Sequence, residues 1–131
     1  MRANELMIGD WVVYEGDTNY SNPIKIEGMD IATDSLVTSD REDVGFEGVE
    51  PIPLTMEIIN KQGWEFHRHS WELDSCEGYI TDDVDYKGEH TGIFSFDIMG
   101  EEDLLLVKSI EYVHQLQHVL RLLEIDKEIV L

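Results

Sequence analysis

The chain has 131 residues, of which 29 are acidic and nine basic, so it carries a net charge of −20 at neutral pH. It is long enough to bury a core without staples, and a hydrophobic share of 42% sets it apart from disordered chains. Nine scattered bases cannot build a basic patch, which argues against direct binding to nucleic-acid phosphates or an anionic membrane, and a single cysteine, Cys76, excludes an internal disulfide or a cysteine-rich zinc site.

The first segment, "MRANELMIGDWVVY", lacks the long apolar core of a signal peptide. No apolar run approaches the length of a membrane span. Together with the lone cysteine this predicts a soluble cytoplasmic protein. Within the segment, "DWVVY" (10–14) is rich in strand formers and ends at the turn signal Glu15-Gly16-Asp17. "NPIKIEGMD" (22–30), "SLVTSD" (35–40) and the glycine- and proline-punctuated "REDVGFEGVEPIPL" (41–54) continue the pattern. Short strands with turns every eight to twelve residues predict an N-terminal SH3-like β-barrel or roll over residues 1–54.

"PLTMEIINKQG" (53–63) predicts a short helix with Thr55 as N-cap, Glu57 in the first turn and Gly63 at the C-terminal end. Leu54, Ile58 and Ile59 form its inward face. "WEFHRHSWEL" (64–73) reads as a strand whose apolar parity switches between Phe66 and Trp71, which demands a bulge or turn near His69-Ser70. Residues 74–92 are polar and end in a hairpin tip. "IFSFDIM" (93–99) and "LLLVK" (104–108) are strands, and Ser109 caps a final amphipathic helix running to about Glu124. The expected whole is one α+β domain over 1–131, with a β-barrel-like sub-lobe 1–54 and an α+β sub-lobe 55–131. The helix face of Val113, Leu116, Leu120 and Leu123 closes the core.

Residues 72–103 hold eleven acids against one base, Lys87, half the net charge in about a quarter of the chain. This segment supplies the expected binding residues Glu72, Asp74, Glu77, Asp82, Asp83, Asp85 and Glu89, with Trp64 and Trp71 beside them. The charge suits a basic protein partner. "DDVDYKGEHTGIF" has the Asp, Asp and Gly of a calcium loop starting at Asp83, but Lys87 and Phe94 stand where two ligands belong, so it is not an EF-hand.

"HQLQH" places His114 and His118 four residues apart, able to reach one ion. The zinc-protease pattern has Glu as general base at the position of Gln115, which cannot take a proton from water. On a helical wheel His114, His118 and Arg121 lie opposite the apolar side chains, which predicts a solvated polar face. His67 and His69 alternate on a strand and project the same way, so His67, His69, His114 and His118 are the metal-site alternative. No nucleotide-binding glycine motif or nucleophile elbow is present. Cys76 lies among acids that raise a thiol pKa.

"MRANELMIGDWVVY", "VEPIPLTMEIINKQGW" and "IEYVHQLQHVLRLLEIDKEI" together resemble a group of small uncharacterised proteins of gut Bacteroidetes and their phages. The resemblance covers about half the chain and leaves out the acidic segment 72–103. It implies a bacterial or phage cytoplasmic setting and no catalytic activity. Members can carry Glu in place of Gln115, so a zinc site of the HELQH kind in them is disarmed here. The expectation is a non-catalytic acidic interaction protein without a cofactor, a nucleic-acid mimic or an inhibitor of a basic partner. Two alternatives stand beside it: a small-ligand sponge that stacks a ring on Trp64, Trp71 or Tyr79, and a metal-dependent hydrolase built on the histidines. Leu122 and Ile125 offer a dimer contact.

Overall fold

The computed structural model describes residues 5–67, 70–73, 78–84, 86–99, 104–122, 125 and 127–131, with backbone only at 67, 98–99 and 104–108. The fold is α+β, with two antiparallel sheets and two helices. The chain divides into two compact units, one formed by residues 1–52 with 112–118 and the other by 53–111 with 119–131.

The first unit carries β1 (Trp11–Tyr14), β2 (Ile24–Asp30), β3 (Ser35–Thr38) and β4 (Val49–Pro51) in the order β3-β2-β1-β4. Gly16, with φ +96°, takes the left-handed turn that ends β1, a conformation costly for any side chain with a Cβ. The following loop is fastened by Asp17, whose carboxylate accepts from the Ser21 and Asn22 amides. Leu6, Val12, Ile24, Ile26, Leu36, Phe46 and Val49 form the core. The expected strands are present, but the sheet is not closed into a barrel. Among the described residues, the edge beyond β3 makes an isolated bridge, Leu36 to Val44.

The second unit opens with α1 (Met56–Lys61), capped as expected. The Thr55 hydroxyl accepts from the Ile58 amide at 3.2 Å, and Gly63 takes the left-handed conformation at φ +81° just beyond the C-terminus. Residues 64–73 are not one strand. β5 (Glu65–His67) and β6 (Ser70–Glu72) pair as an antiparallel hairpin, with Phe66 directly across from Trp71. The parity switch is therefore a chain reversal, which returns both rings to one face, 4.7 Å apart. β7 (Gly78–Val84), β8 (His90–Met99) and β9 (Leu104–Ile110) complete the order β5-β6-β7-β8-β9. Trp71, Ile80 and Phe96 form one register row across β6, β7 and β8, and all three are fully buried. Ser109 lies inside β9 and does not cap the helix.

α2 (Val113–Leu122) starts four residues later than Ser109. Its cap is supplied from within: the Gln115 side-chain oxygen accepts from the Tyr112 amide at 3.1 Å, one half of a capping box. In the second unit the extended tail is tied by Gln62. Its amide donates to the Val130 carbonyl at 2.7 Å and accepts from the Val130 amide at 2.9 Å, copying the two bonds of a β-bridge. Ile129 is buried beside this clamp.

Candidate functional site

Asp10 ends the segment that leads into β1, and its side chain is fully buried. A carboxylate taken from water is costly unless donors surround it. Here Oδ2 accepts from the Met7 amide at 2.7 Å and from Nε2 of His118 at 2.7 Å. A carboxylate has no proton to offer, so the imidazole is the donor. One residue back on the helix, Gln117 accepts from the Trp11 amide at 2.9 Å and donates to the Gly9 carbonyl at 3.0 Å. The Val113 amide donates to the Ile52 carbonyl at 2.9 Å. Residues 112–118 are thus held to the first unit by backbone and side-chain hydrogen bonds.

His114 is the second member of the cluster. Its ring lies 5.9 Å from that of Tyr112 in a near-parallel stack and 5.5 Å from that of His118, edge on. Only 5% of the residue is exposed, and Nδ1 has no hydrogen-bond partner among the described residues. Burial pushes its imidazole below the usual histidine range. Asp10 pulls the other way, His118 adds to the lowering, and Glu5 opposes it. The expectation of a solvated polar face for His114 and His118 is overturned. The reason is that α2 is covered on more than one side: Val113, Leu116 and Leu120 are buried, and so are His114 and Gln117. Of the four candidate histidines, His69 lies outside the described residues and so does the side chain of His67; His114 and His118 are the two whose rings are placed, 5.5 Å apart. Among the described residues no group of three or more His, Cys, Asp or Glu is placed to hold a metal ion. Gln115, at the position of a zinc protease's general base, spends its oxygen on the helix start; a Glu there would make the same cap.

The acidic candidates lie in the second unit, on the sheet. Register places Glu65, Glu72, Tyr79 and Asp97 in one row across β5 to β8, and Ser70, Thr81, Ser95 and Ser109 in the next across β6 to β9. Both rows belong to the parity opposite Trp71, Ile80 and Phe96, and their members are half-buried or exposed. The Ser70 and Thr81 hydroxyls bond at 3.0 Å, and Thr81 donates to Asp97 at 3.5 Å. Glu72, Asp83 and Glu89 are exposed. Asp82 is not: it shares the inward row with Phe94 and Ile110, and His90 pairs with its carboxylate. Asp74, Glu77 and Asp85 lie outside the described residues.

Trp64 and Trp71 are corrected as ligand platforms. Both are buried, and the Trp71 indole donates to Asn60 at 2.7 Å. They are core residues, and their buried rings leave no face for a ligand to stack on. Asp10, Gln62 and Gln117 were missed by sequence reasoning, because nothing local marks a buried polar residue whose partner is more than sixty residues away.

Comparison of the chain with known protein families, curated proteins and solved structures gives no match. No helix among the described residues is long and apolar enough to cross a membrane.

Proposed function

We propose that the protein is a non-catalytic acidic interaction protein that binds a basic partner protein, in the manner of a nucleic-acid mimic or an inhibitor. One observation carries this: the outward rows of the second unit's sheet present Glu65, Glu72, Asp97 and Asp83 with hydroxyls between them, and no Lys or Arg among the described side chains of that face. Glu65 and Glu72 stand directly opposite each other, a like-charge pairing that a cross-strand neighbour normally avoids. Carboxylates and hydroxyls both accept from ammonium and guanidinium groups, and Tyr79 adds a ring face for a cation. Elsewhere several of the chain's own bases are engaged by its aromatic rings or backbone. Lys25 sits over Trp11, Arg41 over Tyr14 and Lys87 over Tyr86, and Lys127 donates to the Gln62 carbonyl. In this reading the first unit is an SH3-like roll that serves as scaffold, and the setting is the cytoplasm of a bacterium or a phage-infected cell.

The test uses a fluorescent oligolysine peptide as probe. Binding at about 50 mM salt should weaken by roughly tenfold or more at about 200 mM. Ser95→Lys places one cation within the outward rows, and Thr33→Lys places one on an exposed loop of the first unit. The first should weaken binding about fivefold and the second by less than about twofold. Equal effects would sink the assignment to this face. No binding at low salt would sink the acidic-interaction reading itself.

A further inference from the structure

We propose that Asp10, His118 and His114 form an acid-operated latch on residues 112–118: the segment stays docked in the first unit while His114 is neutral and is released when His114 takes a proton. The inference is independent of the binding function proposed above.

The geometry supplies both halves of the device. Besides the buried side chains of Val113 and Leu116, docking uses specific bonds to a short stretch of chain: His118 to Asp10, Gln117 to Gly9 and Trp11, and Val113 to Ile52. The trigger is a titratable ring that the fold holds more readily without charge than with it. An imidazolium carries two N–H donors. Among the described residues no acceptor faces His114 Nδ1, so the charged form suffers both desolvation and an unmade hydrogen bond. The groups facing His114 are Glu5 and Asp10 from the segment before β1, and Tyr112 and His118 from its own segment; Arg121 follows two turns further along α2. Asp10 favours the charged ring, but by less than burial opposes it, and its Oδ2 accepts from Met7 and His118. Exposure of the 112–118 segment gives the new charge to water and relieves the penalty.

The sign follows from linkage. The folded form holds His114 below its unfolded value of about 6.5, so the unfolded segment binds the proton more tightly. The stabilisation from neutral His114 is complete above about pH 6.5 and is lost as pH falls from there toward the depressed folded value. The rest of the chain responds in the opposite sense. Acid protonates surplus carboxylates and relieves the self-repulsion of a chain with charge −20. A loss confined to the latch is therefore distinguishable from general acid unfolding.

The experiment is amide hydrogen exchange at pH 7 and pH 5, expressed as protection factors. The amides of Met7, Trp11 and Val113 report the latch, and the amide of Ile59 in α1 serves as reference. Protection at the three latch amides should fall about tenfold relative to Ile59 in the natural chain, and by less than about twofold in His114→Phe, which keeps a ring against Tyr112 without a titrating nitrogen. If His114→Phe fails to fold, His114→Gln takes its place. The proposal is overturned if the natural chain shows no selective loss, or if the variants lose protection equally. Ring titration of His114 by NMR gives a second readout: its midpoint should coincide with the loss of protection, and a ring that titrates with the three amides unchanged also overturns the latch.

Discussion

The molecule contains the same pair twice, a buried aspartate with a histidine, and the two behave differently. Asp10 and His118 are 108 residues apart in sequence, and the histidine side chain is 24% exposed. Asp82 and His90 are joined across one hairpin, and the histidine side chain is 58% exposed. Asp10 also holds the Met7 amide, so its carboxylate organises backbone as well as side chain. Asp82 faces Phe94 and Ile110 on the inward row, where a polar group has little to organise. Burial of an aspartate alone thus says little about its importance. The number of donors that depend on it, and the distance in sequence over which it ties the chain, separate a keystone from a tolerated charge.

The comparison breaks most completely through the helix that carries His118. Leu116 is fully buried on α2, and Leu116→Asp inserts a charge with no partner prepared for it. The expected cost is about 4 kcal/mol or more, enough to abolish the cooperative thermal melt followed by circular dichroism. A variant that melts like the natural chain would remove the helix from the core.

Asp10→Ala comes next. It strands the Met7 amide and the His118 ring at once, and should lower stability by about 2–3 kcal/mol in a denaturant titration. The matching change on the other pair, Asp82→Leu, replaces a buried carboxylate by an apolar side chain among apolar neighbours. It should fall within about 1 kcal/mol of the natural chain in either direction. His90→Ala, at an exposed partner, should cost less than Asp10→Ala by a wide margin. If Asp82→Leu proved as damaging as Asp10→Ala, the two pairs would be equivalent.

Much of the fold was legible from pattern. "DWVVY" and "IFSFDIM" read as strands because β-branched and aromatic residues with turn signals leave few alternatives. The ends of α1 were legible because Thr55 and Gly63 act on their own backbone neighbourhood. β7 was not: in "GYITDDV" the inward positions are Gly78, Ile80 and Asp82, so only one carries an apolar side chain, and the strand exists through pairing on both sides. The start of α2 was displaced because Lys108 and Ser109 read as a strand end and a helix cap; the boundary comes from β9 continuing its ladder with β8 through Ser109 and Ile110. The histidine face was misread because a helical wheel assumes one covered side.

By itself the sequence determined the charge, the class of fold, most strands and the first helix, since these follow from composition and from interactions within a few residues. Only the tertiary structure decided that Trp64 and Trp71 belong to the core, that Asp82 points inward, and that Asp10, His114 and His118 meet. The physical reason is that burial and long-range hydrogen bonds depend on which surfaces are brought together. A local pattern carries the periodicity of a helix or strand, but not the identity of what covers it.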